Sequence, residues 1–295
     1  IIVGQGLAGT NLAFHLLEVG KSVLVIDKFR EITSSKVAAG LINPITGRRF
    51  AKTWLADELF SYSKDFYTHK EELLNSKFYH QMPVYRYLGS IEDQNTWMGR
   101  SVDEEIKPYV GNFDKSKAKG IHNEFGVAEI LQGGWLDTKL FISNSRNYFI
   151  DKNIIVDEEL DYNDLNIKTN TWKDVEFENI IFCEGFRSKD NPFFNWLPFT
   201  FAKGEILDIE INDISNEVVH NKNGFLLPVK DNLFKLGATF RWNEMNEEPS
   251  ERSLIELKEK LQNFTNLDYK IIDQKASIRP TTKDRRPFIG VHPEK

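Results

Sequence analysis

The sequence predicts an α/β protein that combines a parallel, nucleotide-binding sheet with an antiparallel part. Two observations lead to this fold class. Residues 1–27 have the pattern strand, glycine turn, helix and strand, and residues 198–240 form a series of short apolar runs with turn residues between them. At 295 residues the chain has room for one large domain or two.

The opening unit has the full pattern of a dinucleotide-binding turn. Ile1-Ile2-Val3 is a β-branched run, and Gly4-x-Gly6-x-x-Gly9 follows it and opens a helix. A second buried strand, 23–26, ends at Asp27. In such units the glycines allow close approach of a pyrophosphate, the helix N-terminus binds phosphate, and the acid accepts hydrogen bonds from ribose hydroxyls. We therefore predict a Rossmann-like site, although the motif alone does not separate FAD from NAD.

The composition is that of an ordinary globular protein, with 40% hydrophobic and 28% charged residues. The net charge of −6 argues against a nucleic-acid surface. A single cysteine, Cys183, excludes an intramolecular disulfide framework, and the six histidines form no close pair, so no metal site is expected. We predict a cytoplasmic protein without membrane contact, because no long apolar run or signal peptide is visible.

Periodicity assigns the remaining elements. It predicts a long amphipathic helix over 54–74 that covers the sheet, a helix over 138–148 capped by Asp137, and a helix over 253–264. Residues 89–122 show no clear period. The strand within 179–185 ends in a glycine turn at Gly185, as in a second turn at the carboxyl edge of the sheet. We predict a discontinuous nucleotide domain (1–77, 123–197 and 270–295) and a substrate domain inserted into it (78–122 and 198–269).

Several side chains carry expectations of their own. Ser34 and Ser35 are predicted to cap a helix, and the small residues Ala39 and Gly40 let the backbone approach a flat or charged ligand. Arg48 and Arg49 have two interpretations, a solvated turn or a contact with cofactor phosphate or ribose. Two further cations, Lys203 and Arg241, are expected to be surface charges.

Taken in order, these motifs resemble the D-amino-acid oxidase and glycine oxidase superfamily of FAD-dependent oxidoreductases. The resemblance runs through nearly the whole chain. Besides the glycine turn, the motifs that carry it are Ser34-Ser35, Ala39-Gly40, Gly133-Gly134-Trp135, Phe182-Cys183-Glu184-Gly185, Lys203-Gly204-Glu205-Ile206-Leu207, Leu227-Pro228, Gly237-Ala238-Thr239, Arg279-Pro280 and Asp284-Arg285-Arg286-Pro287-Phe288-Ile289-Gly290. It implies FAD as the cofactor, an inserted antiparallel α+β substrate domain, and oxidation of an amine or small amino acid by hydride transfer to flavin.

The motif and the resemblance together nominate the site residues. The expected cofactor-binding residues are Gly4, Gly6, Leu7, Ala8, Gly9, Asp27, Lys28, Ser34, Ser35, Ala39, Gly40 and Gly185. In the family the arginine of the Arg-Pro turn holds the substrate carboxylate, which implies that role for Arg279; the alternative is a structural salt bridge between domains. Cys183 is expected to be a core residue rather than a flavin linkage, and Trp135 to pack rather than to stack on flavin.

The chain departs from the family pattern at three places. Asp27 stands where the family usually has Glu, and Phe225 lies at about the position of a substrate-side Tyr. The family also continues, after its Pro-x-Ile-Gly stretch, into a strand, a glycine-rich turn and a helix that close over the flavin. The sequence ends at Lys295, so we expect that segment to lie outside it, or FAD binding to be weaker.

Two other functions remain open at this level. One is a flavin domain that acts on a modified tRNA wobble uridine. The carboxymethylaminomethyl-uridine oxidoreductase domain belongs to the same flavin superfamily, and Gly133-Gly134-Trp135 resembles its glycine–tryptophan stretch. The other is a non-catalytic flavin- or nucleotide-binding protein. The substrate, the electron acceptor and the oligomeric state are not predicted.

Overall fold

The computed structural model describes residues 1–114, 119–242 and 244–294. Within these ranges none of the helices is long and apolar enough to span a membrane. The α-helices formed by the described residues are α1 (Leu7–Glu18), α2 (Ser34–Val37), α3 (Ala56–Leu74), α4 (Ile91–Arg100), α5 (Thr138–Asp151) and α6 (Glu251–Phe264).

A four-stranded parallel sheet organises the first part of the chain. Its strands are, in spatial order, Ile155–Val156, Val25–Ile26, Ile2–Val3 and Ile181–Phe182. Helices α1, α3 and α5 cover it, and the buried rings of Phe14, Phe141 and Phe149 pack together between them. The glycine turn and Asp27 therefore lie side by side, at the carboxyl ends of the two central strands.

Smaller antiparallel elements surround this sheet. Gly134–Leu136 pairs with both Leu41–Ile42 and Tyr79–Gln81. The remaining small strands are Ile45–Thr46 with Ala51–Lys52, and Leu165–Asn166 with Thr171–Trp172 and Val175–Glu176.

A nine-stranded, mostly antiparallel sheet makes up the second half of the molecule. Its strands are Val84–Tyr87, Val110–Asp114, Val127–Ile130, Ala202–Ile211, Val219–Asn221, Phe225–Lys230, Leu233–Gly237, Arg241–Trp242 and Tyr269–Arg279. Helix α6 packs on one face through Leu257, Leu261 and Phe264. A second core lies on the opposite face, where Phe50, from the hairpin 45–52, and Trp97, from α4, pack against the sheet.

This architecture confirms the predicted fold class, with several local corrections. The long helix starts at Ala56 rather than at residue 54, and Asp137 caps α5 as predicted by accepting from Leu140 N. The cap of α2 is Thr33, whose hydroxyl accepts from Lys36 N, so the prediction of Ser34 or Ser35 as caps is wrong. Residues 89–122, without periodicity in the sequence, include helix α4, whose N-cap Ser90 accepts from Asp93 N.

The predicted domain division remains a prediction. The nine-stranded sheet contains strands from both of the predicted domains. Tyr269–Arg279 pairs along its whole length with Ala202–Ile211, and Val127–Ile130 pairs with Val84–Tyr87. Residues 270–279 of the first strand and all of Val127–Ile130 come from segments assigned by sequence to the nucleotide domain. A run of alternating apolar residues does not say which sheet it joins, since pairing is set by partners distant in the chain.

Candidate cofactor and substrate site

The glycine turn packs as tightly as its motif predicts. A Cβ atom added at Gly9 would lie 1.9 Å from Gly4 O, and one added at Gly4, where φ is +99°, would lie 2.5 Å from Cys183 O. Only glycine fits at either position. The first N–H groups of α1 have no partner within the helix, so they are available to an anion, except that Leu7 N donates to Ser35 Oγ at 3.0 Å.

Asp27 is held in a fixed orientation at the end of its strand. Its Oδ2 accepts from Gln5 N at 2.8 Å, and its Oδ1 accepts from Arg146 Nη1 at 2.9 Å. Burial raises the pKa of Asp27, and the Gln5 N–H and Arg146 offset that rise only in part. Each carboxylate oxygen has two lone pairs, so both can still accept from a ligand hydroxyl.

Arg146 is a functional candidate that the sequence analysis missed. Its side chain is 9% exposed, and besides Asp27 it donates to Gln5 Oε1 at 3.0 Å. Gln5 in turn donates to the backbone oxygen of Ile142 at 3.0 Å. A signal was present in the sequence: Arg146 follows Ile142 by four residues on the buried stripe of α5, and a buried charge requires a partner.

The other predicted cofactor residues lie in three places. Ser35 Oγ lies at the start of α1, and Ser34 Oγ is 3.9 Å from the position of a Cβ on Gly185, so these residues gather beside the glycine turn. Ala39 is buried in the core that includes Phe50 and Trp97, whereas Gly40, with φ +70°, accepts from Leu136 N of the small sheet. Lys28 is exposed beyond Asp27.

A cleft runs along the cofactor side of this arrangement. Gly6, Asp27, Phe29, Lys36 and Arg146 contribute to its lining. The ring of Phe29 has Lys36 Nζ 3.8 Å and Arg146 Cζ 5.3 Å from its centroid. The cleft therefore joins the N-terminal turn of α1, which favours anions, to the carboxylate of Asp27.

Arg279 lies on the large sheet without a carboxylate partner among the described residues. Its Nη1 donates to Thr239 O at 3.1 Å, and its Cζ is 5.3 Å from the ring centroid of Phe240. Burial lowers the pKa of the Arg279 guanidinium, which nevertheless stays charged because arginine is not deprotonated in proteins. The alternative interpretation of Arg279, a salt bridge between domains, has no ion pair to support it within the described ranges.

The strand that ends at Arg279 runs beside the cofactor elements. Tyr269–Arg279 contacts both α2 and the 3-10 helix Gly185–Asp190. Gly237 pairs with Ile206 on one neighbouring strand and with Phe225 on the other, so these three residues share one face of the sheet. Arg279 pairs with Ala202, which lies four residues before Ile206 and therefore on the same face. This places a cation and an aromatic ring on one face of the sheet.

The other residues singled out in the sequence are either packed inside the protein or exposed on its surface. Trp135 is 3% exposed and stacks on His80 at 4.4 Å, and burial raises the pKa of Cys183 to about 11. Arg48 and Arg49 are exposed in a hairpin turn. In the part of the chain that is described, no three His, Cys, Asp or Glu side chains are grouped to hold a metal ion.

The prediction that Lys203 and Arg241 are surface charges is wrong. Lys203 is 1% exposed, donates to Asn246 Oδ1 at 2.8 Å and lies 3.5 Å from Glu205, while Arg241 is half-buried and paired with Glu256. Both lie on the side of the sheet covered by α6, where the Lys203–Glu205 pair is buried and the Arg241–Glu256 pair is partly exposed.

Comparison with known proteins decides the family. The family model described as "FAD dependent oxidoreductase" (DAO) matches residues 1–295. The chain belongs to this family. FAD is therefore its cofactor, as predicted.

Individual relatives are distant. The chain is 22% identical to the tRNA 5-methylaminomethyl-2-thiouridine biosynthesis bifunctional protein of Campylobacter concisus, over 98% of this chain but only 46% of that protein. It is also 22% identical to glycine oxidase of Bacillus subtilis, over the whole chain and 84% of that enzyme. The crystal structure of glycine oxidase from Geobacillus kaustophilus superposes with a TM-score of 0.79 at 16% identity, covering 99% of this chain and 85% of that one. At this identity the structural likeness shows the fold alone.

The residues present fit FAD. Asp27 lies at the edge of the cleft, where Oδ2 accepts from Gln5 N and Oδ1 accepts from Arg146. Each oxygen can accept a further hydrogen bond from a ribose hydroxyl. The glycines at positions 4 and 9 bring the start of α1 close to the strand, where pyrophosphate binds in such turns. Asp27, the glycine turn and Ser35 would thus hold the adenosine and pyrophosphate parts of the cofactor.

Proposed function

We propose that this protein is an amine or amino-acid oxidoreductase that acts on a small amine carrying a carboxylate. FAD, when bound, supplies the chemistry by accepting a hydride from the carbon that bears the nitrogen. The protein then has to bind the substrate, orient that carbon and exclude water. A neutral amine needs no dedicated base for this step, so the proposal does not require a His–Asp pair.

The observation that carries the proposal is the unpaired cation of Arg279. A guanidinium offers a planar fork that matches a carboxylate with two parallel hydrogen bonds. Arg279 uses Nη1 on Thr239 O and has no acidic partner among the described residues. Because its strand also contacts α2 and the 3-10 helix beside the glycine turn, a carboxylate bound there would lie next to the cofactor.

A substrate screen tests this function. The FAD-loaded protein, expressed with its native C-terminus, is assayed by hydrogen peroxide and by dye reduction with glycine, sarcosine, proline, D-amino acids and simple amines. We expect turnover of at least one compound with a carboxylate and weaker turnover of the matched amine without it. Turnover confined to amines that lack a carboxylate would overturn the proposal.

The state of the cofactor is tested separately. We expect a yellow protein with non-covalent FAD that acid or heat releases. A colourless full-length protein that binds NAD but not FAD would contradict the assignment, and one that binds FAD but reduces it with no amine would favour the non-catalytic alternative.

The likeness to the tRNA biosynthesis protein supports a second candidate, action on the modified wobble uridine of tRNA. The net charge of −6 counts against it, as does Trp135, which is buried rather than presented to a ligand. A gel shift with tRNA over a salt titration separates the two, because phosphate contacts give a steep salt dependence. The cytoplasmic location remains a prediction from the sequence.

A further inference from the structure

Gly204 lies beneath the guanidinium of Arg279. Arg279 pairs with Ala202, and Ser277 pairs with Gly204, so Ala202, Gly204 and Arg279 share one face of the antiparallel sheet. A Cβ added at Gly204 would lie 2.1 Å from Cζ and from Nη2 of Arg279, and 2.3 Å from Nη1. The side chain of Arg279 thus lies across the space that any other residue at 204 would fill.

The backbone itself does not require a glycine at this position. Gly204 lies inside the strand Ala202–Ile211 and is not among the glycines with positive φ. Glycine in a strand interior weakens the strand and marks a close approach of another group. Here that group is the guanidinium, so the glycine provides space rather than a turn.

The space also restricts the direction of Arg279. With Nη1 donating to Thr239 O and the ring of Phe240 5.3 Å from Cζ, the guanidinium has contacts to a carbonyl, a ring and the bare backbone of Gly204. A methyl group at 204 would push it off that backbone. Because a long side chain yields more easily than a sheet, the guanidinium would move and the fold would persist.

We propose that Gly204 is a positioning residue for the substrate carboxylate, acting through Arg279. This inference rests on the proposed function, in which Arg279 receives that carboxylate. Its consequence is that specificity for carboxylates depends on a residue that offers no polar side chain.

The test uses acetate as the carboxylate probe and acetamide as its neutral counterpart, with the full-length FAD-loaded protein. Binding is followed by perturbation of the flavin absorbance, and thermal midpoints are measured for every variant. The variants are Gly204→Ala, Arg279→Ala, the double variant, and Gly99→Ala as the control, since nothing lies within 4 Å of a Cβ at Gly99.

We expect Gly204→Ala and Arg279→Ala each to weaken acetate binding about 10- to 100-fold, the effect of losing charge-assisted hydrogen bonds, without changing the binding of acetamide. The double variant should bind acetate no more weakly than Arg279→Ala, because the two changes act on the same contact. It should also be at least as stable as Gly204→Ala, since removing the guanidinium removes the clash. Gly99→Ala should bind acetate and acetamide as wild type does, with an unchanged or higher thermal midpoint because alanine favours the helix more than glycine does.

Each contrary result has a separate meaning. If Arg279→Ala weakens acetate binding and Gly204→Ala does not, the role of Gly204 is wrong and the proposed function stands. The role is equally wrong if Gly204→Ala further weakens acetate binding in the Arg279→Ala background. If Gly204→Ala unfolds and the double variant does not recover, Gly204 serves the sheet and not the arginine. If Arg279→Ala binds acetate as wild type does, or wild type does not bind it, the proposed function itself fails.

Discussion

Asp27 and Arg279 are half-buried charges of opposite sign, and their surroundings differ. Asp27 has its counter-charge within the chain, in Arg146, and a backbone N–H on its other oxygen. Arg279 has a carbonyl and a ring but no counter-charge among the described residues. A charge balanced within the protein is held in place for hydrogen bonding, whereas an unbalanced one favours a charged ligand. This difference assigns Asp27 to the cofactor's hydroxyls and Arg279 to a substrate anion.

The largest effect is expected on stability at the balanced site. Arg146→Ala should lower the free energy of unfolding by about 3 kcal/mol, because it leaves the Asp27 carboxylate without its counter-charge; the partial exposure of Asp27 puts this at the low end for a broken buried pair. Arg279→Ala, the matched control, should change it by less than about 1 kcal/mol, since one hydrogen bond is lost but an unbalanced cation is removed. Denaturant unfolding without FAD measures both. Equal losses would remove the distinction between the sites.

The next effect concerns substrate binding. Arg279→Ala should raise KM about 100-fold for an amino acid that the protein oxidises, because a two-hydrogen-bond ion pair is lost. The matched amine without a carboxylate should change little. Arg279→Lys should restore only part of the loss, because an ammonium cannot form the fork. If Arg279→Ala keeps the wild-type KM, the arginine serves the junction between the two parts of the molecule.

A third prediction concerns the cofactor. Asp27→Ala should weaken FAD binding by about 1.5–3 kcal/mol, the range for a charge-assisted hydrogen bond. Asp151→Ala is the control, because Asp151 is an exposed carboxylate at the end of α5 and is not among the residues that line the cleft. FAD affinity is measured by titration of the apoprotein. Unchanged affinity in Asp27→Ala would show that this residue only ends its strand.

The smallest effect is expected from His220, a buried base that, unlike Arg279, can be neutral inside the protein. Burial lowers the pKa of His220 to about 4, with Nδ1 accepting from Tyr87 OH and Nε2 bonded to Ser215 O. His220 takes up a proton near pH 6.5 in the unfolded chain but only near pH 4 in the folded chain. Protonation between these values therefore favours the unfolded chain, so the free energy of unfolding is unaffected by the protonation of His220 above pH 6.5 and falls as the pH drops from 6.5 toward 4.

Between pH 7 and pH 5 we therefore expect wild type to lose about 1–2 kcal/mol more stability than His220→Gln does, measured by denaturant unfolding at both values. The glutamine retains an acceptor for Tyr87 OH. Identical pH profiles would show that His220 does not control this loss.

The sequence predicted local patterns better than partners. The glycine turn and Asp27 depend on residues close together in the chain, and the structure places them together at the strand ends. Arg146 was missed because its partner Asp27 is 119 residues away. Lys203 was misjudged for the same reason, since a lysine in a strand faces either solvent or α6, and only the sheet pairing decides which.

Arg279 could be nominated from sequence by its place before Pro280, but the absence of a carboxylate beside it could not. That feature depends on Gly204, in another strand, and on Thr239 and Phe240, in the link between Leu233–Gly237 and Arg241–Trp242. Pairing between distant strands is what a one-dimensional pattern leaves open.

Anaerobic reduction of the flavin tests the central claim most directly, because it separates substrate binding from the reaction with the electron acceptor. The rate of flavin bleaching is measured against the concentration of an amino-acid substrate, for wild type and Arg279→Ala. The account predicts that Arg279→Ala raises the apparent Kd for the amino acid about 100-fold and leaves that for the matched neutral amine within a factor of about three. Bleaching of Arg279→Ala by the amino acid with the wild-type Kd would contradict it.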